Sequence, residues 1–186
     1  MKIITDEREY TGKGAVLALG MFDGVHIGHR ALIRRAVEAA REMGVDSMVC
    51  TFDKHPRSVL FPENAPVPLM TRDEQLAEFE KLGVDWALVK PFDKKFAAVP
   101  AEDYITSLIW ATYAQGIVCG ADYTFGKGGK GTPAMLAELS CEYGYRLEVL
   151  ECIKDGDEVV SSTLIRALIA NGDTARADRL LGRAID

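Results

Sequence analysis

Apolar residues fall along this chain in two alternating patterns. Short unbroken runs at 15–19, 47–52, 86–89, 116–119 and 147–153 have the length and composition of buried strands. The segments between them carry helical spacing. In residues 31–42, Ala31, Leu32, Ala36, Ala39 and Ala40 share one side, while Arg34, Arg35, Glu38 and Arg41 lie mostly on the other. Gly44 closes that helix. Thr71 with Glu74 makes a capping-box pattern for a helix running to Leu82-Gly83. Pro100 opens a helix to about Tyr113, and Thr132-Pro133 opens another reaching Tyr143. Two further helices, about 163–171 and 174–181, close the chain at Asn171-Gly172 and Gly182. Residues 56–68 hold four prolines and read as an extended loop, and the glycine–lysine stretch 126–131 reads as the most flexible segment.

Strands alternating with helices imply βαβ units. The expected fold is α/β, a mostly parallel five-stranded sheet with helices on both faces, forming a single domain over residues 1–186. In such sheets ligands bind beyond the carboxyl ends of the strands. Gly20 and Gly120, which close two of the runs, therefore mark the expected active face.

Composition narrows the function. Hydrophobic residues make up 48% and charged residues 27%, the balance of a globular protein with a packed core. The net charge of −6 argues against nucleic-acid and membrane-surface binding, both of which need a basic field. No apolar run approaches the roughly 18 residues of a membrane span. The N-terminal residues lack a signal-peptide core and turn acidic at once. Cys50, Cys119, Cys141 and Cys152 form no C-x-x-C pair; three lie in strand-like runs and read as small buried hydrophobes of a reducing compartment. The expected location is cytoplasmic, with no protein-held metal centre.

Four segments carry candidate chemistry. Residues 20–29 (Gly-Met-Phe-Asp-Gly-Val-His-Ile-Gly-His) follow a strand and enter a helix. They contain neither the dinucleotide fingerprint G-x-G-x-x-G nor a Gly-Lys-Ser/Thr phosphate loop. Two imidazoles three residues apart, His26 and His29, stand instead at a helix N-terminus, where free N–H groups favour phosphate. Gly28 between them allows a nucleotide close to the backbone. A lone histidine is ordinarily a core residue and a third metal ligand is not apparent, so phosphate binding is the expectation. In Ser161-Ser162-Thr163-Leu164-Ile165-Arg166, Ser162 or Thr163 would cap a helix and Arg166 would share their face, a second phosphate site. Asp122 and the aromatics of residues 120–126 suit a planar heterocycle. Residues 51–56, with His55-Pro56, follow another strand.

Together these segments resemble the nucleotidyltransferases with H-x-G-H and S-S-T-x-I-R motifs. More narrowly, the chain resembles the FMN adenylyltransferase module of bacterial bifunctional riboflavin kinase/FAD synthetases. G-x-F-D-G-V-H-x-G-H matches 20–29, F-x-P-H-P is approached at 52–56, G-x-D/N-F/Y-x-F-G matches 120–126, and L-L-G-R matches 180–183. The resemblance implies a Rossmann-like fold and the reaction of ATP with FMN to give FAD and pyrophosphate, assisted by Mg²⁺. It implies that His26, His29 and Arg166 are catalytic. Gly20, Phe22, Asp23, Gly24 and Gly28 would shape the adenosine pocket, Ser162, Thr163 and Arg166 would hold the triphosphate, and His55, Pro56, Asp122 and Phe125 would meet the flavin.

The chain departs from that pattern at Lys54, where the family has proline, at Gly129, where many relatives have arginine, and at Gln75, a frequent lysine. The riboflavin kinase domain that usually follows L-L-G-R is absent from these 186 residues, so no kinase activity is expected. Two other readings stay open: a nucleotidyltransferase of the same fold acting on another phosphorylated acceptor, and a non-catalytic flavin or nucleotide sensor.

Overall fold

The computed structural model describes residues 1–184. In chain order these form β1 (Lys2–Ile4), β2 (Ala15–Leu19), α1 (Ile27–Met43), β3 (Asp46–Phe52), α2 (Pro56–Leu60), α3 (Arg72–Lys81), β4 (Trp86–Lys90), α4 (Ala101–Thr112), β5 (Ala114–Gly120), α5 (Pro133–Tyr143), β6 (Arg146–Leu150), β7 (Lys154–Asp155), β8 (Glu158–Val159), α6 (Ser162–Ala170) and α7 (Thr174–Leu181).

The central sheet has six strands in the order β1-β4-β3-β2-β5-β6, every pair parallel. The expected count of five misses β1. This three-residue edge strand pairs only with β4 and leaves Lys2 and Ile3 exposed, so no buried alternation betrays it. The turn after it is pinned by Glu7, a buried carboxylate that accepts from the Ser107 hydroxyl at 2.7 Å and pairs with Lys90. The run 147–153 also divides: β6 stops at Leu150, and a separate antiparallel hairpin of β7 and β8 follows.

Strand side chains alternate between two cores. Leu17, Leu19, Met48 and Ile117 pack with Ile105 and Leu108 of α4 and Leu136 of α5. Val16, Ala18, Val49 and Val118 pack with Ile33 and Ala36 of α1 and Phe79 of α3. Helices therefore cover both faces, as expected. A third cluster joins α6 to α7 through Ile165, Leu168, Leu180 and Leu181.

The proline-rich segment is not wholly extended. His55 accepts the Arg57 N–H at 3.1 Å and Pro56 takes the first helical position, which together start the short α2. The 126–131 loop is also closed at its base, where Phe125 and Gly131 exchange backbone hydrogen bonds of 3.2 and 2.8 Å.

The chain leaves β2 to build β3 and β4 on one side, and returns through α4 to place β5 on the other. The strand order reverses between β2 and β5, and the crevice beyond their carboxyl ends is the ligand position such sheets offer.

Candidate active site

The segment leaving β2 turns sharply. Phe22 (φ 53°) and Val25 (φ 42°) occupy the left-handed region, together with Gly24 (φ 80°). A β-branched residue there is a real backbone outlier, at a cost of about 1–3 kcal/mol per strained residue, and such strain persists only where the surroundings enforce it. Phe22 is fully buried, edge-on to Phe79 at 5.8 Å and to His29 at 5.3 Å.

His26 caps α1, its Nδ1 accepting the His29 N–H at 3.3 Å. The two imidazoles stack, with centroids 3.5 Å apart and planes 18° from parallel. A Cβ on Gly28 would lie 3.2 Å from the His26 ring, a contact tight enough that the ring would have to shift. Burial pulls His26 down to about 4 despite the opposing Asp122 carboxylate, and pulls His29 well below the ordinary imidazole value. Both rings are thus neutral at pH 7. They offer hydrogen bonds. Nδ1 of His29 is buried without a partner among the described residues, a group whose desolvation needs a reason outside folding.

These rings line a cavity of about 290 Å³ at the switch point, together with Gly28, His55, Asp122, Ser162, Thr163 and Arg166. Its far wall is the start of α6. Here Ser161, rather than the expected Ser162 or Thr163, is the cap, accepting the Leu164 N–H at 3.1 Å. Ser162 is freed to donate to the Asp23 carbonyl at 2.9 Å. Asp23 ties three segments: its carboxylate accepts the Leu69 N–H at 3.0 Å and pairs with Arg166, which also donates to the Val67 carbonyl at 2.6 Å.

The predicted residues therefore divide. His26, Gly28, His29, Ser162, Thr163, Arg166, His55 and Asp122 meet in one cavity. Gly20, Phe22 and Gly24, expected to shape a nucleotide pocket, do not line it, and Asp23 lines a neighbouring cavity of about 510 Å³ with His55 and Arg72. Gly20 leaves room for the Phe22 ring, and Gly24 packs against Leu69 and Leu181. Asp122, expected on the flavin side, lies on the histidine side instead.

A second cavity, of about 540 Å³, opens between α2, residues 92–99 and residues 124–129. Its wall is aromatic. Phe52 meets Phe92 at 5.1 Å and Phe96 at 5.5 Å, Phe96 meets Tyr104 at 5.6 Å, and Tyr104 meets Phe125 at 6.2 Å. Pro56, Phe125 and Gly129 are among its lining residues. Phe52 opens the 52–56 motif, whereas Phe92, Phe96 and Tyr104 escaped the sequence reading because they lie in other segments and form no local motif. His55 lines the histidine cavity and its neighbour Pro56 the aromatic one, so the two cavities adjoin at this dipeptide.

The doubly wound parallel sheet, with the histidine-bearing start of α1 at its switch point, places the chain in the Rossmann-like α/β class. The chain belongs to the FAD synthetase family, whose model matches residues 9–164. It is 35% identical over 181 residues to the bifunctional riboflavin kinase/FMN adenylyltransferase of Listeria monocytogenes, covering 97% of this chain and 57% of that protein. The Escherichia coli K12 protein of the same name is 34% identical, with 91% of this chain and 55% of that protein covered. The chain thus spans little more than half the length of these relatives. A putative bifunctional riboflavin kinase/FMN adenylyltransferase of Geobacillus thermodenitrificans is 36% identical over 182 residues, 98% of this chain and 97% of that protein. Among solved structures, one described as a macrolide-efflux protein of Streptococcus pneumoniae superposes with a TM-score of 0.84 at 29% identity, covering 99% of this chain and 62% of that one. Among the described residues of the present chain, no helix is long and apolar enough to cross a membrane.

Proposed function

We propose that the chain transfers the adenylyl group of ATP to FMN, giving FAD and pyrophosphate. One observation carries the reading: the histidine cavity and the aromatic cavity adjoin at His55-Pro56. Adenylyl transfer to a flavin phosphate needs that juxtaposition, with a triphosphate on one side, an isoalloxazine on the other and the two phosphates between them.

The FMN phosphate attacks the α-phosphorus of ATP in line. A bond forms from its oxygen to that phosphorus, the bond to the bridging oxygen breaks, and pyrophosphate leaves with the electron pair. The nucleophile is already an anion at neutral pH, so no strong base is required. The protein's contribution is orientation and charge compensation. His26 and His29 donate to the α-phosphate region. The N-terminal N–H groups of α6, the Ser162 and Thr163 hydroxyls and the Arg166 guanidinium hold the β- and γ-phosphates. Arg166 exchanges the Asp23 carboxylate for a phosphate oxygen, one anion for another. His55 faces the junction, and Pro56, Phe125, Phe96 and Tyr104 sandwich the flavin.

Mg²⁺ would neutralise charge on the phosphates and on the leaving pyrophosphate. Among the described residues no three His, Cys, Asp or Glu side chains converge as a metal cage, so the ion would be held by phosphates and water. On this reading residues 1–184 act as one adenylyltransferase unit working on small metabolites in the cytoplasm, with no nucleic-acid or membrane partner.

The test is incubation with Mg²⁺, ATP and FMN, followed by chromatography for FAD and an assay for pyrophosphate. Equal appearance of both is expected. Pyrophosphate released only with another phosphorylated acceptor would replace FMN in the scheme. Binding of both ligands without product would make the chain a sensor.

A further inference from the structure

Gln75 is a buried polar side chain on α3 that lines, with Met21, Asp23, His55 and Arg72, a third cavity of about 510 Å³. Its Nε2 donates to two consecutive carbonyls, Met21 at 3.0 Å and Phe22 at 2.9 Å. Its Oε1 accepts from Arg72, whose second terminal nitrogen donates to the Phe52 carbonyl. Arg72 has donors only, so it fixes which end of the amide faces it and turns the NH₂ toward the 21–22 peptide. The Thr51 hydroxyl adds a second donor to Met21, at 3.0 Å.

Those carbonyls belong to the strained turn. Phe22 is left-handed, and its ring is the surface against which His29 rests edge-on at 5.3 Å. His29 in turn stacks on His26. A turn with two non-glycine residues at positive φ does not hold itself; groups outside it must over-determine its shape. Here those groups include the Gln75 amide above, the Phe79 ring of the same helix beside it, and the Asp23 contacts below.

We propose that Gln75 is a positioning residue for the histidine pair: by donating to the Met21 and Phe22 carbonyls it holds the left-handed turn that seats His29, and so sets the geometry of the phosphate cavity. It touches no reacting atom. The kinetic part of its test rests on the adenylyl-transfer reading; the spectroscopic part does not.

The full chain is compared with Gln75→Met, which keeps length and loses both polar roles, and with Gln75→Glu, which keeps the acceptor for Arg72 and loses the donors. Leu139→Ala, in the opposite core, is the control for a purely structural loss. Thermal midpoint, kcat, KM for each substrate and the imidazole NMR signals of His26 and His29 are measured. The expected result is a loss in kcat/KM for ATP of about 100-fold in both Gln75 variants, the scale of a misplacement of roughly 1 Å at a reacting centre. KM for FMN stays unchanged and the His29 signals shift. Leu139→Ala is destabilised yet keeps kcat and the imidazole signals. Should Gln75→Met fail to fold, Thr51→Val, which removes only the second donor to Met21, shifts the His29 signals in the same direction by less. Unchanged kinetics and imidazole signals in the Gln75 variants, losses matched by Leu139→Ala, or an unmoved spectrum in Thr51→Val would each overturn the proposal. If the wild-type chain forms no FAD, the adenylyl-transfer reading falls. The His29 signals then decide alone: shifted, Gln75 positions the pair; unshifted, it does not.

Discussion

Arg166 and Asp23 form an ion pair across 143 residues of chain, joining α6 to the strained turn after β2. The guanidinium donates at the same time to the Val67 carbonyl at 2.6 Å. Removing it takes a fixed cation from the histidine cavity and leaves Asp23 with the Leu69 N–H alone on its carboxylate. Arg166→Ala is expected to lower kcat/KM for ATP by about 100-fold, the scale of losing one charge-assisted contact to a reacting phosphate. Arg166→Lys should recover little, because one ammonium cannot reproduce the fork. Steady-state kinetics at saturating FMN measure both, and full turnover in a folded Arg166→Ala protein would remove Arg166 from the mechanism.

The buried histidines make stability depend on pH. His26 is held near 4 in the folded chain, against 6.5 for an unperturbed ring. Above about pH 6.5 the ring is neutral in both states and has no effect. Between about 6.5 and 4 the unfolded chain binds a proton that the native ring refuses, so stability falls as pH falls. Below about 4 the native ring protonates too, and its contribution stops changing. The shift corresponds to about 3 kcal/mol for His26, and His29 is displaced in the same direction. His26→Asn keeps an N-cap acceptor and lacks the titration. Denaturant unfolding of both proteins at several pH values should show the wild type losing more stability on acidification. A difference that does not vary with pH would contradict neutral burial of His26.

Gly24 sits at φ 80°, and a Cβ there would come within 2.9 Å of Leu69 and 3.1 Å of Leu181. Gly24→Ala combines backbone strain with a clash, for an expected loss of about 1–3 kcal/mol. Since Leu69 and Asp23 are hydrogen-bonded, the displaced loop should also weaken ATP binding. Thermal denaturation and ATP titration check the two effects, and a variant with the wild-type midpoint would refute the tight packing described.

Phe96 is half-buried, touches Phe52, Phe92 and Tyr104, and lines the aromatic cavity away from the histidines. Phe96→Leu should raise KM for FMN about tenfold, on the scale of the roughly 0.5–1.5 kcal/mol carried by one aromatic pair, and leave KM for ATP unchanged. An equal rise for both substrates would mean that the aromatic cavity does not hold the acceptor.

How much of this was legible in the sequence depends on how local each feature is. The buried strands β2 and β4 read clearly because parallel strands covered on both faces are continuous apolar runs. β1 did not, being three residues long and half exposed. The histidine turn was legible because the cap, the glycine and the helix start lie within ten residues. Its charge state was not, since burial of His29 depends on Phe22 and on the packing of α1. The aromatic cavity was marked only by the 52–56 motif and Phe125; Phe92, Phe96 and Tyr104 converge from the β4–α4 connection and α4. Gln75 read as a mere departure from a family pattern, while its partners Met21 and Phe22 become visible only when α3 packs on the turn after β2.

On the proposed reading the chain moves the adenylyl group of ATP, not its terminal phosphate. Parallel reactions with ATP labelled at the α- or the γ-phosphate, in the presence of Mg²⁺ and FMN, separate the two. The expected result is α-label in FAD and γ-label in pyrophosphate, in equal amounts. Label from the γ-position in a flavin product, or in free phosphate without FAD, would contradict it.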